Sequence, residues 1–246
     1  MGTWGTAGTS AKEGYRAAVS RRRRLGGLKW AALLGAPAAA WMGSGWFHGR
    51  ALIVFEGCLA GLFLVAAALP ADKDPGRWLR GARGEVATGL VLDTLPGRRW
   101  HVFHDLAIPG SNANIDHLAL GPSGVWVIDS KTTRTAPRVG IRSVRLGERR
   151  LGTDSVRWQA QVVSDRLAVK ARPVVALHVA GERGKFRLPR RGVRRRGVRV
   201  VLASDLARRL RRGRRRLGRG DVEEMSRAVV EHFRFAGAGA RQNGRQ

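Results

Sequence analysis

Two apolar runs, 114–120 and 125–131, are joined by Gly121-Pro122-Ser123-Gly124 and constrain this chain more than any other segment. Both runs are rich in residues that suit a pleated surface, and Gly and Pro mark the turn between them. A four-residue link closing a hairpin sets Leu120 opposite Val125. Continued back along the strands, the same register predicts Asp116 opposite Asp129 and Asn114 opposite Lys131. Side chains alternate faces at every residue, so Asp116, Asp129 and Lys131 share one face. Two carboxylates directly across a strand pair repel, at a cost of roughly 0.2–1 kcal/mol. A fold keeps such a pair most readily where a divalent cation neutralises it.

That geometry suits metal-dependent hydrolysis of phosphodiesters. Mg²⁺ takes hard oxygen ligands and is usually held by one or two carboxylates plus waters and phosphate oxygens. Such an ion acidifies a bound water and stabilises charge on the attacked phosphate. An ammonium two residues beyond one carboxylate can orient that water or neutralise the developing charge. Asp116, Asp129 and Lys131 are the candidates for these roles. His117 points to the opposite face and reads as a structural histidine, and Asn114 as a turn or backbone partner.

The Asp…Asp-x-Lys pattern resembles the PD-(D/E)XK nuclease superfamily. The words Gly81-Ala-Arg-Gly-Glu85, Asn114-Ile-Asp-His117, Gly121-Pro-Ser-Gly124 and Val127-Ile-Asp-Ser-Lys131 resemble the NERD (nuclease-related) domain within it, over roughly residues 78–205. The resemblance implies that Glu85 is the acidic residue of the first helix, Asp116 and Asp129 the metal ligands, and Lys131 the catalytic lysine. Glu85 would complete the metal site directly or through water, with Mg²⁺ or Mn²⁺ as the cofactor. Asp129 stands where the superfamily more often has Glu, one methylene longer. Ile115, rather than Pro, precedes Asp116, as is usual for the NERD pattern. A glutamine on the second helix often reaches the metal-bound water or a phosphate in the superfamily, which favours Gln161 over Gln159 here.

The rest of the chain supplies charge and an expected membrane anchor. Lys and Arg number 46 against 18 Asp and Glu, a formal net charge of +28 that attracts nucleic acid or anionic lipid. A lone Cys58 excludes an internal disulfide framework. Residues 1–27 read as a disordered basic N-terminus. Residues 28–70 carry two apolar stretches, Leu28–Phe47 and Ala51–Leu69, each about twenty residues and enough to span a hydrocarbon core of roughly 30 Å. Only His48-Gly-Arg50 separates them, so a transmembrane helical hairpin is predicted, with Trp30, Trp41, Trp46 and Trp78 as interfacial anchors. Arg21–Arg24 on one side and Lys73, Arg77, Arg80 and Arg83 on the other put both termini and the following domain in the cytoplasm by the positive-inside rule. Glu56 is costly mid-membrane and reads as a helix–helix contact or an interfacial residue. An alternative reading of Ser20–Leu25 and its apolar sequel is a twin-arginine export signal, which leaves the second stretch unexplained.

From residue 78 the pattern predicts helix 80–95, strand 100–108, the hairpin, basic loops or strands over 132–153, helix 155–170, strands 174–180 and 199–203, and helices 204–212 and 221–235. This order is that of a restriction-endonuclease-like α/β core: a mixed α-β-β-β-α-β sheet flanked by helices. Residues 78–205 form the expected nuclease-like domain, and 206–246 an Arg-rich C-terminal extension with a terminal helix. The Arg runs of 181–220 suit phosphates, either of nucleic acid or of lipid headgroups. Aromatic interleaving for single-strand stacking is almost absent. The expected function is membrane-anchored, metal-dependent nuclease activity, with DNA as the partner and substrate. The alternative is an inactive nuclease-fold module that binds nucleic acid, anionic lipid or a protein partner.

Overall fold

The computed structural model describes residues 3–9, 76–141, 143–179, 188–189 and 192–235, with isolated positions between 12 and 61. The chain divides into two compact units, Met1–Lys12 with Trp78–Gln246, and Glu13–Arg77. Nearly all of the second unit lies outside the described residues, and with it the helical hairpin expected over 28–70, with Trp30, Trp41, Trp46 and Glu56. Among the described residues, no helix is long and apolar enough to cross a membrane.

The first unit is a mixed α/β sheet covered on both faces. Its strands are β1 (Thr3–Trp4), β2 (His101–Ala107), β3 (Asn114–Gly121), β4 (Gly124–Thr133), β8 (Ala171–Val179), β9 (Val193–Arg195), β10 (Val198–Leu202) and β11 (Arg234–Phe235). They run in the order β1-β2-β3-β4-β8-β10-β9, with β11 also beside β2. β4, β8 and β10 are parallel neighbours, while β2, β3 and β4 form an antiparallel meander. A small separate sheet, β5 (Pro137–Val139), β6 (Val144–Leu146) and β7 (Arg149–Arg150), follows β4.

Alternation along the strands feeds two apolar layers. Leu118, Leu120, Val125 and Val127 pack with Val156 and Val163 of helix α2 (Asp154–Leu167) and with Val222 and Val229 of α4 (Arg219–His232). Ala119, Trp126 and Ile128 pack with Leu92 of α1 (Gly76–Leu92) and with Leu206 and Leu210 of α3 (Ala203–Arg211). Strands buried on both faces read as unbroken apolar runs, which is why 125–128 and 174–177 show no polar alternation. Each fully buried aliphatic side chain contributes roughly 1.5–3 kcal/mol. The Arg-rich segment beyond residue 205 joins this packing, since Leu206, Leu210, Val222, Val229 and Phe233 are all buried.

Two edges differ from expectation. Thr3 and Trp4 lie in the stretch expected to be disordered, yet they pair with Val102 and Phe103 of β2. Trp4 stacks on Phe103 with ring centroids 4.7 Å apart, an apolar contact large enough to hold a two-residue strand. α1 ends at Leu92 rather than residue 95, because Leu95 N turns back to Leu92 O (2.9 Å). The hairpin turn uses Gly124 at φ +119°, a conformation that a side chain would strain.

Candidate active site

The β3–β4 ladder runs from Gly121↔Gly124 to His117↔Ile128, the register expected from the turn. It stops one pair short of Asp116 and Asp129. Ser130 N instead donates to Asp116 Oδ2 (2.8 Å), so a carboxylate takes the place of the next backbone acceptor. The other flank of Asp116 is interrupted too: β2 pairing passes from His104↔His117 to Leu106↔Ile115. Asp105, at the skipped position, has φ +54°. That left-handed conformation costs a non-glycine residue about 1–3 kcal/mol, less for Asp than for most. The strands therefore part into a fork at Asp116. β4 itself stays held by β8 through Asp129↔Val175 and Lys131↔Leu177, so Asp129 and Lys131 project from a fixed strand.

Acidic groups collect at this fork. Asp129 is buried, at 6 % exposure, and Lys131 Nζ donates to its Oδ1 at 2.6 Å. Its other oxygen, Oδ2, is buried without a hydrogen-bond partner. Burial raises the Asp129 carboxyl above its ordinary range, against the pull of Lys131. Asp116 is pushed well up by burial and then by Asp129 and Glu85, with the Ser130 amide and Lys131 opposing. Glu85, half-buried on α1, rises from 4.5 to about 7 through burial and the charges of Asp105 and Asp129, with Lys131 opposing. Burial alone would lower the Lys131 pKa. The charges of Asp129, Asp116 and Glu85 outweigh it and raise the ammonium pKa. One cation thus faces several carboxyl groups that sense one another, an arrangement short of positive charge.

A polar chain backs the fork on the α1 side. Ser130 Oγ donates to Thr88 Oγ1 (2.8 Å), which also bonds His178 Nε2 (2.7 Å). His117 Nε2 bonds Ser130 Oγ (3.2 Å), and its Nδ1 bonds His104 Nδ1 (2.7 Å). His117 is fully buried, and burial holds it well below its ordinary pKa, neutral, as do the neighbouring His104 and His178. Its position agrees with the structural role read from its face.

Glu85, Asp116, Asp129 and Lys131 therefore come together, whereas Gln161 does not join them. Gln161 is exposed, and its Nε2 donates to Asp165 Oδ1 (2.7 Å) one turn later. Gln159 is the buried glutamine of this helix, and its amide donates to the Asn114 carbonyl (2.9 Å) beside the fork. Two residues nearer the start of α2, Gln159 falls on the face that packs against the sheet. Asp105 was missed from sequence. It is buried, its Oδ1 accepts from Asn114 Nδ2 (3.2 Å), and its charge reaches Glu85. The available signal was a lone carboxylate in a strand, 101–107, whose other polar residues are His101 and His104.

Among the described residues, no group of three or more His, Cys, Asp or Glu side chains is arranged to hold a metal ion. The donor set nevertheless fits a hard divalent cation, which usually draws only one or two carboxylates from a protein. The orphaned Asp129 Oδ2 is a buried oxygen of that kind, and Asp116 lies within electrostatic reach.

Residues 80–178 match the family model described as the nuclease-related domain, NERD. No curated protein and no solved structure matches the chain. The matched segment begins in α1, before Glu85, and ends in β8, so it encloses the whole fork.

Proposed function

We propose that this domain hydrolyses phosphodiester bonds of nucleic acid, DNA foremost, with Mg²⁺ or Mn²⁺ as cofactor. The domain would be a PD-(D/E)XK nuclease tethered to the cytoplasmic face of a membrane by the 28–70 segment. The carrying observation is the orphaned Asp129 Oδ2 in a fork where Asp116, Glu85 and Lys131 also meet. Asp116 and Asp129 would hold the cation, with Glu85 completing the site. When bound, the cation supplies positive charge to the attacked phosphate and acidifies a water.

This chain's own groups do the rest. Lys131 keeps its proton at neutral pH because three carboxyl groups favour its charged form, so it can orient the attacking water and offset developing negative charge. Glu85, titrating at about 7 in the metal-free protein, can exchange a proton near neutrality. Ser130 N fixes one Asp116 oxygen, which leaves the carboxyl little rotational freedom.

A second reading is a module that binds nucleic acid, anionic lipid or a protein partner without cleaving. It is favoured by the direct Lys131–Asp129 pair at 2.6 Å, which occupies the carboxylate oxygen that a cation would otherwise share. The two are separated by incubating the full chain with linear, circular and single-stranded DNA, with and without Mg²⁺ or Mn²⁺, beside Asp129→Ala and Lys131→Ala. Metal-dependent cleavage lost in both variants supports the nuclease, and cutting of the circle identifies internal cleavage. Salt-sensitive binding with no cleavage in any form supports the binding module.

A further inference from the structure

Toward the opposite end of β4 lies a recess of about 590 Å³ whose lining includes Trp126 and Arg172. The Arg172 guanidinium lies 5.0 Å from the centre of the Trp126 ring. Further guanidinium groups converge from separate segments: Arg194 and Arg199 from β9 and β10, Arg209 and Arg212 from the end of α3, and Arg214 and Arg216 from the loop after it. Among the described residues, no Asp or Glu lines this recess. Among the described residues, Arg157, Arg208 and Arg219 have carboxylate partners, and Arg172, Arg194, Arg209, Arg212 and Arg216 have none.

The walls are held in place before any ligand arrives. Arg172 Nη1 donates to Ser123 O (3.1 Å), and Trp126 Nε1 to Ser123 Oγ (3.0 Å). Arg216 N and Leu217 N both donate to Pro122 O, at 2.6 and 3.2 Å, which straps the segment after α3 across the hairpin turn. Gly213 permits that approach, since a Cβ there would stand 2.5 Å from Ser123 Cβ. Arg194 is set opposite Arg199 by the β9–β10 register.

This crowding is unfavourable without an anion. Arg172 and Arg199 are held below the ordinary guanidinium range by burial first and then by the surrounding arginines. Arg209 Nε is buried with no hydrogen-bond partner. The C-terminal dipole of α3 favours nearby cations, but it acts only over the last turn. Arg172, Arg194 and Arg216 lie off that helix. Guanidinium is the side chain best matched to phosphate oxygens, and it pairs bidentately.

We propose that this recess is a binding site for a short chain of phosphates, free or carried on a small molecule, separate from the carboxylate fork. A volume of about 590 Å³ lies within the roughly 300–1,000 Å³ typical of small-ligand sites. Duplex DNA spreads its charge along a convex backbone, about one charge per 1.7 Å of axis, and cannot bring adjacent phosphates into a recess. Trp126 is 3 % exposed and offers no open face to a base, so recognition falls on the phosphates.

Calorimetric titration of the full chain with tripolyphosphate, a nucleoside triphosphate and orthophosphate tests this. Tripolyphosphate binds, and orthophosphate binds more weakly. Equal affinity for the nucleoside triphosphate identifies phosphates alone as the ligand, and a tighter nucleotide assigns its source. Arg194→Gln with Arg212→Gln weakens tripolyphosphate about tenfold or more. Arg138→Gln with Arg149→Gln removes the same charge from exposed positions outside the recess and changes affinity less than about twofold. Arg209→Lys keeps the charge but loses the planar fork, and weakens binding by an intermediate factor. Asp129→Ala binds tripolyphosphate as the wild type does, whatever the fate of hydrolysis. Equal weakening by the exposed control pair, no binding of tripolyphosphate, or pocket variants that weaken only a DNA duplex would each overturn the proposal.

Discussion

The two ends of β4 are electrostatic opposites built by one strand. At its far end, Asp129 and Lys131 meet Asp116 and Glu85, and the carboxyl groups are driven upward in pKa. At its near end, Trp126 lies beside Arg172, and guanidinium groups are driven downward by burial and then by one another. Both sites leave a buried polar atom unpartnered, Asp129 Oδ2 in one and Arg209 Nε in the other. The difference lies in the sign of the charge each gathers, carboxyl groups at the fork and guanidinium groups at the recess. Strain of this kind is common at functional sites, where stability is given up to pre-organise charge.

Breaking the fork gives the largest expected effect. Lys131→Ala and Asp129→Ala lower the rate of metal-dependent DNA cleavage by about 10²-fold or more while leaving DNA retention in gel-shift assays nearly unchanged. The recess variants weaken tripolyphosphate instead and leave cleavage of a short duplex within about twofold of wild type. If both sets of variants weaken both activities alike, the two ends of β4 form a single site.

Next in size is the effect of metal and charge on stability. Asp116→Asn removes a carboxylate that burial and Asp129 disfavour, so it raises the melting temperature in EDTA by about 2–4 °C per kcal/mol relieved. Added Mn²⁺ raises the melting temperature of the wild type but not of Asp129→Ala, measured by calorimetry across a metal titration.

A pH series sharpens the same point. The folded pKa of Glu85 lies above its unfolded value, so its contribution is fully present below about 4.5 and is lost as pH rises through about 7. The stability difference between Glu85→Gln and wild type therefore grows in the variant's favour across that window, to on the order of 1 kcal/mol. His104, His117 and His178 act with the opposite sign. Their folded pKa values lie below 6.5, so stability is lost as pH falls beneath that value. Denaturant midpoints at pH 5, 6, 7 and 8 resolve the two slopes. A wild-type curve with no loss on the acid side would contradict the buried, neutral histidines.

The smallest expected effect concerns α2. Gln159→Ala breaks the buried bond to the Asn114 carbonyl and costs about 1 kcal/mol by urea unfolding. Gln161→Ala, at an exposed position, changes stability and cleavage little.

Much of this was legible in the sequence, for reasons of local periodicity. Turn chemistry at Gly121–Gly124 fixes the hairpin register, and strict alternation then gathers Asp116, Asp129 and Lys131 onto one face. The 3.6-residue period marks α1 and α2, and unbroken apolar runs mark β4 and β8. The ladder's early end at His117↔Ile128 was not legible, because it depends on where β3 and β4 part. Asp105 was hidden for the same reason, since it sits at a skipped pair held in a left-handed conformation. Choosing Gln159 over Gln161 needs the roll of α2 against the sheet, which spacing alone leaves open.

What the sequence determined by itself was thus the short-range arithmetic: element types, the hairpin register, and the carboxylates and lysine that one strand pair brings together. Only tertiary structure decided what converges from afar. Glu85 reaches the fork from a separate helix, and Arg172, Arg194, Arg209 and Arg216 meet across four segments to form the recess. Runs of arginine look alike along a chain. Which of them face one another without a counter-charge is set by long-range packing, because burial and mutual repulsion arise only when distant segments share a low-dielectric space.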